Sequence, residues 1–145
     1  MALAGDHVVV MLDDASGTLR TFTNGDIISV DVPLNYDMHD VTGFGAAVHN
    51  FVQGQLQSPV TLRGYVTTTA LVGTHTVIRD AYQQGKQVSL EVRVGQNAAP
   101  TTGDPKFTGE YFVESYKPSL DTGKAVTFEA VLKPATTAAP AWGVI

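Results

Sequence analysis

Four histidines (His7, His39, His49 and His75), with Asp37 and Asp40, are the first residues whose chemistry could define a site. His39 and Asp40 are adjacent, and His49 follows in the same stretch. Structural zinc sites need tight ligand spacings, however, and no such spacing occurs. The ordinary reading is of loop histidines at an interface, with no metal. Nucleophilic catalysis has no better footing. No serine sits in a Gly-x-Ser-x-Gly elbow and the chain has no cysteine, so neither the strained serine turn nor a thiolate is on offer. Glu91 could pair with Glu114 or Glu129 for glycoside hydrolysis. All three fall on the polar phase of alternating runs, where solvated carboxylates belong. Gly43-Phe44-Gly45 begins like a dinucleotide loop but lacks the third glycine and the helix it would open. Asp13-Asp14-Ala15-Ser16-Gly17 lacks the spacing of a calcium loop and reads as a hairpin turn. Tyr111, Phe112 and Tyr116 could stack a sugar or base, but strand neighbours point to opposite faces, so Tyr111 and Phe112 cannot share a platform. These residues describe neither an enzyme nor a cofactor site.

The elements that carry them are mostly strands. In the run Gln87 to Val94, Val88, Leu90, Val92 and Val94 alternate with Gln87, Ser89, Glu91 and Arg93, the pattern of an antiparallel strand with one face on a core. Val126, Phe128, Ala130 and Leu132 repeat it, and so do Ile28, Val30, Val32 and Leu34. Val60, Leu62 and Val66 form a further run with Gly64 in phase, which points to a bulge or a close backbone approach. His7–Leu12 and Phe107–Tyr116 supply two more strands. A helix is predicted from about Thr74 to Gln84. Thr74 and Thr76 are its candidate N-caps, Val77, Ile78, Ala81 and Tyr82 share one face, and Gly85 suits the left-handed stop. The fold expected is mainly β, an antiparallel sandwich or barrel with one flanking α-helix and a long irregular inter-strand loop.

Composition agrees. Valine (19) and threonine (17) dominate, whereas lysine and glutamate together number 9, and β-branched residues fit a pleated sheet. With 145 residues, 43% of them apolar, the chain suits a single domain over 1–145 and is not disordered. Charged residues reach only 16%, so part of the surface is expected to be covered by partners. A net charge of -5 argues against a protein that grips DNA by its phosphates. No apolar run is long enough for a membrane span. The opening MALAGDHVVV lacks the basic flank and long apolar core of a secretion signal, so synthesis in the cytoplasm is expected.

From about 35 to 59 the alternation stops. This stretch carries Tyr36, Met38, His39, Phe44, Val48, His49 and Phe51. A solvated loop has no use for so many apolar side chains, and a long aperiodic segment in a compact domain is usually functional. Met38, Phe44, Val48 and Phe51 are therefore candidates for contact with another subunit, as is Trp142 in a low-charge tail (about 134–145) expected to be extended. Residues 1–59 hold seven carboxylates against Arg20 alone, while residues 60–145 are nearly balanced.

Several segments together resemble the tail tube proteins of long-tailed phages. They are the opening His7-Val-Val-Val-Met-Leu-Asp-Asp and its turn, then Ile28-Ser-Val-Asp-Val-Pro-Leu leading into Asp40-Val-Thr-Gly-Phe-Gly. Phe51-Val-Gln-Gly, the strand Val60–Val66, the helix and the late strands with Phe128 follow in the same order. The resemblance implies a sandwich with a flanking helix. It also implies hexameric rings stacked into a tube through which the genome passes without specific binding, alongside other tail proteins, in the virion tail. It implies further that the long early loop reaches a neighbouring subunit and that acidic residues line the channel, with Asp31, Asp37 and Asp40 as candidates. The alternatives are a head–tail joining, tail terminator or capsid decoration protein, or a small ligand- or carbohydrate-binding β-domain. Oligomer symmetry separates these.

Overall fold

A computed structural model of the chain describes residues 7–95, 99–135 and 139–145. In chain order the elements are β1 (Val8–Asp13), β2 (Leu19–Thr21), β3 (Ile27–Asp31), β4 (Asn35–Asp40), β5 (Phe51–Gln57), β6 (Val60–Tyr65), α1 (Thr74–Gln84), β7 (Val88–Val94), β8 (Pro105–Ser119), β9 (Thr127–Pro134) and β10 (Ala141–Val144). Eight strands form one antiparallel sheet in the order β2-β1-β7-β8-β9-β6-β3, with β10 also paired to β8; β4 and β5 pair separately.

The 15-residue β8 joins the two halves. Its first part pairs β7, from Val88 opposite Tyr111 to Arg93 opposite Lys106. Its second part pairs β9 through Ser119 opposite Thr127, and the register shifts between Val113 and Ser115. Such a bulge bends a strand. The two halves accordingly share one core: Val10, Leu12, Leu90 and Val92 from one side, and Leu62, Phe128, Ala130 and Leu132 from the other. Helix α1 seals that core with Val77, Ile78 and Ala81. The result is an antiparallel β-sandwich with one flanking helix.

The helix occupies the span the sequence indicates, and Gly85 ends it in the left-handed region at φ 61°. Its start is different from the expectation. Gly73 is the N-cap and no side chain caps the helix. The Thr74 hydroxyl donates instead to the Tyr65 carbonyl (2.6 Å) and accepts from the Thr67 amide (3.0 Å), tying the helix to the end of β6.

Gly64 marks a close approach. A Cβ there would collide with the Asp26 carbonyl oxygen, and the register of β3 against β6 shifts between Ile27 and Ser29. We expect Gly64→Ala to lower stability by about 2–3 kcal/mol, the cost of overpacking a site closed by backbone. A thermal melt at the wild-type temperature would show that the backbone yields freely. The same bulge corrects the expected phase of β3. Ile27, Val30 and Val32 pack against the core, whereas Ile28, the extra residue of the bulge, is turned outward and 57% exposed; Leu34, beyond the end of β3, is 40% exposed.

The segment expected to be an irregular loop is a two-stranded hairpin, β4 with β5, from Asn35 opposite Gln57 to Asp40 opposite Phe51. It was hidden because nearly every side chain in it is exposed, so neither face carries an apolar phase. The short β2 and β10 were unmarked for a related reason: β10 is exposed throughout. Of the expected extended tail, residues 136–138 lie outside the described ones, and Ala141–Val144 run antiparallel to β8.

Candidate assembly surface

The β4–β5 hairpin is an arm whose substantial packing is within itself. Its strands are locked at both ends by short polar contacts. At the base, the Gln57 side-chain amide donates to Asp37 (2.7 Å). Toward the tip, the Asp40 carboxylate accepts from the Thr42 amide (2.9 Å) and the Thr42 hydroxyl (2.5 Å), and that hydroxyl accepts from the Asn50 amide (2.9 Å). The backbone closes with Val41 N–H donating to the Asn50 carbonyl (2.8 Å). The Thr42 hydroxyl, then the Thr42 amide, hold the Asp40 carboxyl below its ordinary value, and His49 Nδ1 stands 3.6 Å from it. Asp40-x-Thr42 is an Asx-type turn whose signal was present in the sequence. Gly54 makes room at the register shift between Tyr36 and Met38, since a Cβ there would stand 2.8 Å from His39 Nε2.

The arm presents its apolar side chains to solvent. Met38, Val41, Val48, Phe51 and Val52 are each more than half exposed, and Phe44 near the tip is wholly exposed. An exposed apolar patch of this kind marks an interaction surface. Four of the five residues nominated for inter-subunit contact (Met38, Phe44, Val48 and Phe51) thus lie together. Trp142 lies apart on β10, its ring 5.4 Å from that of Phe107 and 45% exposed. Of the three nominated carboxylates, Asp37 and Asp40 ride on the arm. Asp31 is on β3, 3.4 Å from Arg63.

The residues that suggested chemistry are dispersed. Among the described residues no group of three or more His, Asp or Glu could hold a metal. His75 Nδ1 meets the Tyr116 hydroxyl at 2.8 Å, far along the chain from His39 and His49 on the arm. Glu91 sits between Arg93 (3.0 Å) and Lys106 (3.5 Å), Glu114 near Lys133 (3.6 Å), and Glu129 near Arg63 (3.7 Å). Each of the three carboxylates therefore lies beside a cation, Glu129 sharing Arg63 with Asp31. Tyr111 is fully buried while Phe112 is 42% exposed, so they form no stacking platform.

Asp13–Gly17 is a turn built on Asp14. Its carboxylate accepts from Arg20 Nε (2.7 Å), the Thr18 amide (2.9 Å), and the Ser16 amide (3.0 Å) and hydroxyl (2.8 Å). The Arg20 guanidinium, then Thr18 and Ser16, hold the carboxyl well below the ordinary carboxylate range. A carboxyl depressed in the folded state stabilises fully above its unfolded value, near pH 3.9, and the benefit fades as pH falls through the folded value. Asp14→Asn should therefore melt below wild type at pH 7, with the gap closing from about pH 5 to pH 2. A gap that stays constant over that range would show that charge at Asp14 is unimportant.

No protein-family model matches the chain, and no curated protein matches it. Solved structures do. The fold matches a chain in "Tail of empty GTA particle computed with helical refinement, C6 symmetry", with a TM-score of 0.71, 15% identity and 99% of both chains covered. It matches the SPP1 tail tube at a TM-score of 0.71 and 16% identity, over 92% of this chain and 76% of that one. It also matches a chain of an extracellular contractile injection system, in the PVC sheath/tube terminator in the extended state, at a TM-score of 0.69 and 14% identity, over 99% and 97%. The sandwich is therefore of a class found in tails and tubes. Its structural neighbours include chains of a gene transfer agent tail, of the SPP1 tail tube and of an injection-system sheath/tube terminator.

Proposed function

We infer that this chain is a tail tube subunit whose copies form hexameric rings that stack into a channel for DNA, in a virion tail with other tail proteins. The observation that carries this reading is the projecting arm, a closed two-stranded unit with its apolar side chains in water. A monomer gains nothing from such an arm, whereas a neighbouring copy can bury it. The likeness to a tail of C6 symmetry and to a tail tube supports the ring and the stack. The reading assigns assembly rather than catalysis. Asp31, on the sandwich body, is the candidate to face the channel, where like charge keeps DNA from adhering. Asp37 and Asp40 travel with the arm, so their surroundings in a tube are set by where the arm docks.

A second reading is favoured by the likeness to a sheath/tube terminator. A terminator closes a tube and would stop at one ring. Negative-stain microscopy of the purified protein separates the two. Hollow tubes or stacked six-fold rings are expected, single rings that never stack would favour the terminator, and compact monomers at high concentration would sink the tube.

A further inference from the structure

The arm and an apolar recess of the body lie toward opposite ends of β3 and β6. The arm leaves the sandwich beside Asp31 and Thr61, where β3 ends and β6 begins. At the other end Ile27 stands opposite Gly64, and Tyr65 and Ser119 both stand opposite Thr127. A groove of about 260 Å³ opens there, lined by Ile28, Gly64 and Phe128 and edged by Arg63, Lys117 and Glu129. Ile28, pushed outward by the bulge, is 57% exposed beside it. Arg63 shares its charge between Asp31 and Glu129. Among the described residues Lys117 has no carboxylate within 4.0 Å, in contrast to Lys106 and Lys133.

The arm has the complementary character. Residues 35–57 contain Asp37 and Asp40 but no lysine or arginine, and Phe44 is wholly exposed. We propose that the groove receives the arm of a second copy, with Phe44 against Ile28 and Phe128 and the arm carboxylates facing Lys117 and Arg63. The inference rests on the tube reading and names the partner surface of its arm. The arm and the groove are different surfaces, so a contact made in one direction between copies is heterologous. Where it does not close on itself it leaves one free arm and one free groove after every addition and so propagates.

Two variants test this, Phe44→Asp in the arm and Ile28→Asp in the groove. Both positions are exposed, and thermal melts confirm that each variant folds. Sedimentation velocity and negative-stain microscopy read the size. Wild type is expected to grow open-ended, while each variant alone stays at its unit size. The Ile28→Asp protein still has an arm and the Phe44→Asp protein still has a groove. Their equimolar mixture should therefore double the unit mass and stop. Wild-type growth by either variant, or a mixture that fails to associate, overturns the arm-to-groove contact and leaves the tube reading standing. Wild-type protein that never assembles overturns the tube reading itself.

Discussion

Replacing residues 36–56 by a Gly-Gly turn should give a protein that melts with the full-length chain and never assembles. Asn35 and Gln57 are cross-strand partners at the base of the arm, so a tight turn can join them without disturbing β3 or β6. No arm residue belongs to the buried core, and the hairpin packs substantially only on itself. Stability should stay within about 0.5 kcal/mol of wild type, as for changes remote from buried features. Assembly should fall below detection, because the removed residues include all the exposed apolar side chains between Tyr36 and Val52. Paired thermal melts and sedimentation velocity measure both halves of the prediction. Tubes of normal length from the shortened chain would refute an assembly role for the arm.

The second large effect concerns the opposite kind of residue. Phe107 is fully buried on β8, its ring 6.4 Å from Tyr111 and 5.4 Å from Trp142. Phe107→Ala should cost about 3–5 kcal/mol through lost transfer energy and a residual cavity, a large part of the roughly 5–15 kcal/mol that holds a typical domain together. The change should also loosen β10, since Trp142 loses the ring beneath it. Trp142 is the sole tryptophan, so its fluorescence reports that event directly, with emission moving to longer wavelength before global unfolding. An unshifted spectrum would mean that backbone pairing to β8 alone holds the last strand.

What the sequence made legible follows from what burial imprints. β7 was readable because Val88, Leu90 and Val92 are buried while Ser89 and Arg93 are less so; Glu91, on the phase expected to be solvated, is buried instead beside Arg93 and Lys106. Gly64 and Gly85 were readable because each meets a constraint only glycine satisfies cheaply. The arm was legible as chemistry, through Met38, Phe44, Val48 and Phe51, but not as a hairpin, because strands with two exposed faces leave no period to detect. Ile28 was assigned to the wrong face because a bulge shifts the phase and is fixed by the partner strand, which local alternation does not contain. For the same reason no local pattern could join Ile28, Phe128 and Lys117 into one groove. They come from three strands brought together by long-range pairing.

The passage of the sheet through β8 also sets an order of events during synthesis. The meander of β7, β8 and β9 is local in sequence and can form early, but β1 must wait for β7, and β6 for β9. Both waiting strands, and the arm between them in the chain, are synthesised before the meander. Contacts so distant in sequence form slowly, and apolar surface exposed in the interval invites association. The adhesive part of this protein is therefore made before the body that carries it can close. Its acidic charge, concentrated in the first 59 residues, sits on the nascent segment that most needs to repel its copies.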